Sequence, residues 1–301
     1  MEPAAGLVDF HHHRMQSPEQ QLTPVEAAAQ EIETTISLRV MTYNVHRCVG
    51  VDRLLSPQRI AQVIASCHPD IVALQELDVG RARSGHVDQA EVIARDLGMD
   101  VHFFPAVRVM EELYGDAILS RWPARLVKGG SLPGFTRLPR VEPRGALWSA
   151  INVDGNEIQI INTHLGLLGA ERMMQAGALL GSDWLGHPEC RDPLILLGDF
   201  NATPRSRAYR LFTSRLRDAQ RTPAVRRAEL TFPTRMPALR LDHVFVSRSI
   251  EVTSAGTVRT PLARLASDHF PLVVELRIPA LTNRLDRRDA AGRRPLNQEA
   301  V

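Results

Sequence analysis

The sequence has few cysteines and no long apolar segment. Cys48, Cys67 and Cys190 are scattered and form no CxxC pair, so neither a disulfide framework nor a structural zinc site is expected, and a reducing compartment is favoured. No run of about 18 apolar residues occurs, which argues against a transmembrane helix. No apolar core precedes the His11–His13 run, which argues against a secretory signal. We therefore expect a cytoplasmic protein.

The chain also lacks a strong excess of either charge. Its 36 basic and 34 acidic residues give a formal net charge of +2, and only 5% of its residues are aromatic. Dedicated nucleic-acid binders usually carry a cationic excess, and single-strand binding needs aromatic side chains on which bases stack. Nucleic acid is therefore a possible partner but not the favoured one, and the oligomeric state is left open.

Strand-like and helix-like segments alternate between two polar ends. Residues 1–37 and 279–301 have few large apolar residues and are expected to be flexible tails. Residues 38–278 are expected to form one α/β domain, because the segments interleave without a repeated period. Nine short apolar runs predict strands: Leu38–Tyr43, Ile71–Leu74, Val101–Phe104, Ala117–Leu119, Leu147–Val153, Ile158–Ile161, Leu194–Leu197, Val244–Val246 and Leu272–Leu276.

Helices are expected on the outer faces of the predicted sheet structure. Leu194–Leu197 is apolar at every position, which indicates a strand covered on both faces. One helix is predicted after Ser56, which can cap its N-terminus. A second is predicted between Asp88 and Gly98, and a third over residues 170–185.

Side chains that can bind metal or move protons recur at the ends of the predicted strands. One such residue is usually a cap or a turn, but the recurrence indicates a single site at one edge of the sheets. Phosphate ester hydrolysis needs a cation, a group that orients water and donors to the phosphate oxygens. Glu76, with Asp199 or Asp268, could hold Mg²⁺, with Mn²⁺ as a possible substitute. A carboxylate such as Asp242 beside His164 or His269 would fix the tautomer of the histidine and favour its charged form.

Seven segments in this order resemble the motifs of the endonuclease/exonuclease/phosphatase superfamily. Each segment is short, but together they cover nearly the whole predicted domain. The resemblance implies a four-layer α/β sandwich, in which two packed mixed β-sheets are flanked by helices. The segments are Thr42–His46, Leu74–Glu76, Tyr114–Ser120, Asn162–Leu165, Gly198–Asn201, Leu241–Val246 and Ser267–Pro271.

The same resemblance implies roles for the candidate site residues. Asn44, Glu76 and Asp268 match the metal ligands of the family. Asp199 and Asn201 match the pair that orients the nucleophile and contacts the scissile phosphate. His269, supported by Asp242, matches a residue assigned to water activation or phosphate stabilisation. His164 matches a second position on the phosphate side.

The chain departs from other family patterns at three places. Asp116 stands where many relatives carry asparagine, which adds negative charge near the phosphate site. The stretches His46–Asp52 and Glu142–Leu147 resemble small bacterial members related to sphingomyelinase-like enzymes and glycosylphosphatidylinositol-remodelling proteins. His46 and Arg144 are therefore expected to contact substrate, although a core or capping histidine and a surface arginine are the alternatives.

These features favour a magnesium-dependent hydrolase of phosphodiesters. A lipid or another small phosphorylated headgroup is the favoured substrate, and any contact with a membrane is expected to be peripheral, through that substrate. The alternative enzyme is a DNA or RNA endonuclease or exonuclease. The alternative without catalysis is a silent binding module of the same fold, but every acidic motif is present, which favours an enzyme.

Overall fold

The computed structural model describes residues 35–135 and 141–280, which contain two six-stranded β-sheets. The first sheet has the order β11-β12-β1-β2-β4-β3 and the second β5-β6-β7-β8-β10-β9. Both are mixed, because β1 and β2 are parallel, as are β7 and β8, whereas the other pairs are antiparallel. The strands of the first sheet are β1 (Thr35–Asn44), β2 (Ile71–Val79), β3 (Asp100–Val109), β4 (Glu112–Ser120), β11 (Glu251–Thr257) and β12 (Leu272–Pro279). Those of the second are β5 (Ala124–Ser131), β6 (Gly145–Val153), β7 (Asn156–His164), β8 (Leu194–Asp199), β9 (Arg217–Asp218) and β10 (Asp242–Val246).

The helices in the described residues begin and end at local sequence signals. Ser56 Oγ accepts a hydrogen bond from Arg59 N at the start of α1, and Asp88 caps α2 in the same way. Gly98 ends α2 in the left-handed conformation, with φ of 64°, which costs glycine little. The helices are α1 (Pro57–Ala65), α2 (Gln89–Leu97), α3 (Gly169–Leu179), α4 (Arg207–Thr213) and α5 (Pro261–Ala266), and none has the length and hydropathy that crossing a bilayer requires.

Alternate residues of the central strands face different apolar layers. Val40 and Ile195 pack between the two sheets, whereas Met41 and Leu196 face the outer helices. Helices α1, α2 and α5 cover the first sheet, and α3 and α4 cover the second. The expected four-layer sandwich is confirmed, and the continuous apolar runs have their explanation in strands that are buried on both faces.

A buried polar contact joins the two sheets below the strand ends. Asn162 of β7 donates from Nδ2 to the carbonyl oxygens of Leu74, at 2.9 Å, and Ala117, at 2.8 Å. Its Oδ1 accepts a hydrogen bond of 2.8 Å from Gln75 Nε2. Each buried polar atom of Asn162 therefore has a partner, and the contact fixes one sheet relative to the other.

The element bounds differ from the sequence prediction at a few points. The nine predicted strands are present, including the edge strand β3. The other edge strands, β5, β9 and β11, were not predicted, because their sequences are mostly polar, charged or small and contain no comparable apolar run. Helix α3 ends at Leu179 instead of residue 185, because Gly177 and Gly181 lower the helix propensity there. The chain then turns, and Gly186 N donates to the Gly181 carbonyl oxygen at 2.9 Å.

The ends of the β-structure also lie outside the predicted domain, residues 38–278. Strand β1 begins at Thr35, and β12 ends at Pro279. In this added part Ser37 of β1 pairs with Arg277 of β12. Backbone pairing extends both strands into segments whose side chains are mostly polar. Hydropathy alone therefore predicts a domain that is slightly shorter than the paired strands. The rest of the predicted tails, residues 1–34 and 281–301, lies outside the described residues.

Candidate active site

The candidate site lies where the two parallel strand pairs end. Asn44 is the last residue of β1, His164 of β7 and Asp199 of β8. Asn44 lies beside Gln75 of β2, and His164 lies beside Asp199. Neighbouring parallel strands end at the same edge of a sheet, so side chains from distant parts of the chain meet there.

Glu76 departs from regular strand geometry at this edge. The pairing of β2 with β4 shifts between Leu74 and Leu77, and Glu76 has φ of 64°. A left-handed residue other than glycine is strained, and such strain is often found at functional sites. Glu76 Oε1 accepts a hydrogen bond of 2.9 Å from Asn44 Nδ2, which also donates to Asp199 Oδ2 at 3.0 Å. The amide of Asn44 therefore holds two carboxylates side by side.

Asp199, Asp242 and His269 form a buried charged cluster. His269 Nδ1 donates to Asp242 Oδ2 at 2.8 Å, and His269 Nε2 lies 3.7 Å from Asp199 Oδ2. Burial alone would lower the pKa of His269, but the carboxylates of Asp242, Asp199 and Asp268 outweigh burial and raise the pKa to about 10. Burial and the charge of Asp242 also raise the pKa of Asp199. His269 is therefore an imidazolium at neutral pH.

His164 is held between Arg144 and Asn201. Arg144 Nη1 lies 3.0 Å from His164 Nδ1, and Asn201 Nδ2 lies 3.1 Å from His164 Nε2. Burial, Arg144 and His269 lower the pKa of His164 well below its ordinary value, so the imidazole is neutral. A neutral imidazole has one acceptor nitrogen. It can satisfy only one of the two donors at a time, which leaves the other available to a phosphate oxygen.

His46 and Asp268 lie at the rim of the site. The backbone N–H of His46 donates to Asn44 Oδ1 at 3.0 Å, and its ring Nδ1 lies 4.0 Å from Asp268 Oδ1. Ser267 Oγ donates to the Asn44 carbonyl oxygen at 2.8 Å, which ties the segment that carries Asp268 to the end of β1. The side chains of His46 and Asp268 are 32% and 36% exposed, so both are accessible from the cavity.

The predicted metal ligands supply hard oxygen donors. Glu76 and Asp268 are partly exposed and line the same cavity. Carboxylate oxygens beside water are the environment that Mg²⁺ and Mn²⁺ prefer. Asn44 turns Nδ2 toward Glu76 and Oδ1 toward the backbone of His46, so in this orientation it supports a ligand by hydrogen bonding. The residues present fit a divalent cation on the side of Glu76 and Asp268.

The buried cluster is a second group of possible ligands. Single ligand atoms of Asp199, Asp242 and His269 lie within 4.8 Å of one another. However, a protonated imidazole has no free lone pair for a metal, and Nδ1 of His269 already donates to Asp242. The cluster is therefore better suited to hydrogen bonding than to metal coordination.

A cavity of about 450 Å³ gathers the predicted residues on its walls. His46, Glu76, Arg144, His164, Asp199, Asn201, Asp268 and His269 line it. Asn44 and Asp242 lie behind this wall and contact it through Glu76, Asp199 and His269. Phe232 also lines the cavity, and its ring centroid is 4.7 Å from that of His269.

Asp116 is buried near Glu76. Burial raises its pKa to about 8 against the effect of Arg144, and the charge of Glu76 contributes to this rise. At neutral pH the carboxyl group is therefore mostly protonated and carries a donor, as an asparagine amide does. Protonation removes the extra negative charge that the sequence predicts at this position.

Four further polar residues of the cavity were not among the predicted site residues. Tyr114 and Glu142 lie in segments that carry the family resemblance, so position within a motif was a usable signal for them. Arg47 follows His46 directly. Arg83 lies in the loop after β2 and reaches the cavity only through tertiary structure, because Asp78 binds it with two hydrogen bonds of 2.6 and 2.8 Å.

Comparison with known protein families identifies the class of protein that has this fold and this arrangement of site residues. Residues 41–269 match the Endonuclease/Exonuclease/phosphatase family, and the chain belongs to this family. Members of this family are generally phosphoester hydrolases that depend on a divalent metal.

Individual relatives are similar over most of the chain. Uncharacterized protein YbhP of Escherichia coli strain K12 is 28% identical over 253 residues, which cover 80% of this chain and 97% of that protein. The mannosyl-6-phosphatase of Bacteroides thetaiotaomicron VPI-5482 is 26% identical, with a TM-score of 0.63 over 79% of this chain and 99% of that one. The catalytic domain of human Nocturnin shares the fold, with a TM-score of 0.61 and 23% identity over 81% of this chain and 96% of that one.

Proposed function

We propose that this protein is a divalent-metal-dependent phosphodiesterase. The observation that carries the proposal is the convergence of Glu76, His164, Asp199 and His269 on one wall of a cavity that also presents Arg144. The wall combines carboxylates for a cation, a buried imidazolium and guanidinium donors. This is the set of groups that phosphate ester hydrolysis requires.

The charge state of each group indicates its role. Asp199 has a raised pKa and accepts a hydrogen bond of 2.8 Å from Asn201 N, so it orients the attacking water and takes its proton. His269 is charged and stabilises negative charge that develops on the phosphate. Arg144 and Asn201 donate to the phosphate oxygens, and neutral His164 serves the side of the leaving group.

Glu76 and Asp268 would hold the metal, with Asn44 orienting Glu76. When bound, Mg²⁺ offsets charge on the phosphate oxygens. Magnesium is the ion we propose because the donors are oxygens and waters can complete an octahedral shell. Mn²⁺ accepts the same ligands.

The proposed substrate is a lipid or another small phosphorylated headgroup. A cavity of about 450 Å³ accommodates a group of that size, and the balanced charge of the chain does not favour a long polyanion. His46 at the rim contacts the substrate in this proposal. Cleavage of a lipid would bring the protein to a membrane surface through its substrate only.

A nuclease is the second candidate, and one observation favours it. A neighbouring cavity of about 530 Å³ is lined by Arg205, Arg221 and Arg240. Arg240 and Leu241 are consecutive and line the two cavities, so a polyanionic strand could pass from one to the other. Arginine-lined grooves of this kind follow a phosphate backbone.

A panel of substrates tests these candidates. Purified protein with Mg²⁺ or Mn²⁺ is assayed on a diester dye, a monoester dye, plasmid DNA, RNA and sphingomyelin. We expect turnover of the diester dye that exceeds turnover of the monoester dye. Faster cleavage of DNA or RNA would instead select the nuclease, and no turnover of any substrate would select the silent binding module.

Glu76→Gln tests the metal side of the proposal. It removes a charge and one acceptor oxygen at a partly exposed position, so turnover should be lost at saturating Mg²⁺ while the thermal midpoint is kept. Glu91→Gln on α2 is the control, because Glu91 lies in the first turn of a helix away from the cavity. Full activity of Glu76→Gln would remove Glu76 from the site.

A further inference from the structure

The active cavity contains more guanidinium groups than the scissile phosphate uses. Arg47, Arg83 and Arg144 all line it, together with Glu142. Arg144 contacts His164 at 3.0 Å and so belongs to the side of Asp199 and Asn201. Arg47 and Arg83 have no part in the chemistry proposed above.

Arg47 is poorly matched by its present partner. Arg47 Nη2 lies 2.8 Å from His46 Nε2, whereas Arg144 Nη1 contacts both His164 Nδ1 and the Glu142 carboxylate at 3.0 Å. An imidazole nitrogen is a weaker partner for a guanidinium than a carboxylate or a phosphate. The Nε atoms of both arginines are buried and have no partner within the described residues. Donors left in this state favour an added anion.

Arg83 is fixed in place but retains donors. Two of its N–H groups bind Asp78, and its guanidinium stacks on Tyr114 at 5.3 Å from the ring centroid. A guanidinium has five N–H donors, and this side chain is 40% exposed. Arg83 can therefore bind an anion in the cavity without leaving Asp78.

Glu142 supplies an anion from the protein itself. Its Oε2 lies 3.0 Å from Arg144 Nη1, and its side chain is 39% exposed. Burial raises the pKa of Glu142, and Arg144, Arg83 and Arg47 all act to lower it. The carboxylate therefore pairs with Arg144 and lines the same cavity as Arg47 and Arg83.

We propose that Arg47 and Arg83 form a subsite for a second anionic group of the substrate, and that Glu142, which pairs with Arg144 on the same cavity wall, is displaced when the substrate binds. The inference rests on the proposed function, since it describes the substrate of the same cavity. The scissile phosphate displaces Glu142 from Arg144, while a phosphate or carboxylate further along the headgroup binds Arg47 and Arg83. The substrate class is a diester with an anionic headgroup, and cationic headgroups such as choline are disfavoured by the arginines.

Binding of inorganic sulfate tests the subsite without catalysis. Calorimetry on the metal-free protein measures sulfate affinity for the wild type, Glu142→Gln and Arg47→Gln. Glu142→Gln should bind sulfate about three- to tenfold more tightly, because an internal competitor is lost. Arg47→Gln should bind it about tenfold more weakly. Arg47 is preferred to Arg83 here, since removing Arg83 would leave buried Asp78 without its bidentate partner.

Glu251→Gln is the matched control for Glu142→Gln. Glu251 also faces an arginine, with 3.9 Å between Glu251 Oε2 and Arg277 Nη1, but it lies outside the cavity. Its substitution should leave sulfate affinity unchanged. Unchanged affinity in Arg47→Gln would overturn the subsite even if the enzyme hydrolyses diesters, and equal or weaker affinity in Glu142→Gln would overturn the role of Glu142 as an internal competitor.

Turnover of two matched substrates tests whether the subsite determines substrate specificity. Glycerophosphoinositol 4-phosphate should have a KM about tenfold below that of glycerophosphocholine, and Arg47→Gln should remove the difference. Vesicles that contain phosphatidylinositol 4-phosphate distinguish a lipid from a water-soluble source of the same headgroup. Equal KM values for the two soluble diesters in the wild type would overturn the proposal, whereas absence of all turnover with intact sulfate binding would overturn only the proposed function.

Discussion

Asp242→Asn removes a negative charge beside His269 without changing the size of the side chain. Asp242 Oδ2 and His269 Nδ1 are 2.8 Å apart, and both side chains are buried. In wild type the carboxylates around His269 raise its pKa from 6.5 to about 10. The substitution should therefore return much of the imidazole to its neutral form near neutral pH.

The size of the effect follows from the geometry. Charges about 4 Å apart in a medium with an effective dielectric constant of about 20 interact by about 4 kcal/mol, and about 1.4 kcal/mol changes a proton affinity tenfold. Losing Asp242 should thus bring the pKa of His269 most of the way from about 10 back to 6.5, its ordinary value. Turnover should fall by about 10²- to 10⁴-fold, as for other acid–base groups that lose their orienting partner.

Two measurements check this prediction. NMR titration of the metal-free protein reports the pKa of His269 directly. The pH profile of kcat on a diester dye shows whether the charge of His269 affects turnover. If charged His269 stabilises the phosphate, the alkaline limb of the profile should move to lower pH in Asp242→Asn. Asp218→Asn is the control, because Asp218 is equally buried but pairs with Arg240 outside this cluster.

A double-mutant cycle tests whether Asp242 and His269 contribute to turnover as a pair or independently. His269→Ala should cost about as much as Asp242→Asn, and the double variant should be scarcely worse than either one, because residues that act as a unit lose their contribution once. Additive losses in kcat, or an unchanged pKa of His269 in Asp242→Asn, would refute the proposed pair.

Three further predictions concern separate parts of the molecule. Asp116→Asn should keep the turnover of wild type near neutral pH and give higher turnover than wild type above pH 8, because Asp116, with a pKa of about 8, becomes ionised there. A pH profile that matches wild type throughout would contradict this. Gly198→Ala should lower the free energy of unfolding by about 2 kcal/mol or more, since Gly198 has φ of 148° and a Cβ would lie 1.9 Å from Thr163 O. Gly177→Ala, with open space around it, should be neutral or stabilising in the same denaturation assay. Deletion of residues 1–34 and 281–301 should leave kcat and the thermal midpoint nearly unchanged, because few large apolar residues lie there, and a large drop in either would show that a terminal segment is required.

Short-range signals in the sequence predicted much of the fold. The caps at Ser56 and Asp88 and the stop at Gly98 act within a few residues, so they could be recognised without any tertiary information. Apolar runs predicted the central strands because those strands are buried on both faces. Edge strands such as β5 carry no such run, and their pairing depends on a neighbour that hydropathy does not reveal.

The residue types of the candidate site could also be predicted from the sequence, through ordered motifs at strand ends. The contacts between these residues could not be predicted in this way. Asn44 and Asp199 are 155 positions apart, yet they are joined by a hydrogen bond of 3.0 Å. The order of strands in the two sheets decides that contact, and no local pattern encodes it. The bulge that turns Glu76 toward the site likewise depends on the pairing of β2 with β4.

The charge states of the site were decided only by tertiary structure. His164 and His269 are both strand-end histidines in the sequence, with the same ordinary pKa of 6.5. Burial and then Arg144 lower the pKa of the first and keep it neutral, whereas Asp242 and the other carboxylates outweigh burial and keep the second charged. A pKa depends on burial and on charges a few ångströms away, and those distances exist only once the two sheets have packed.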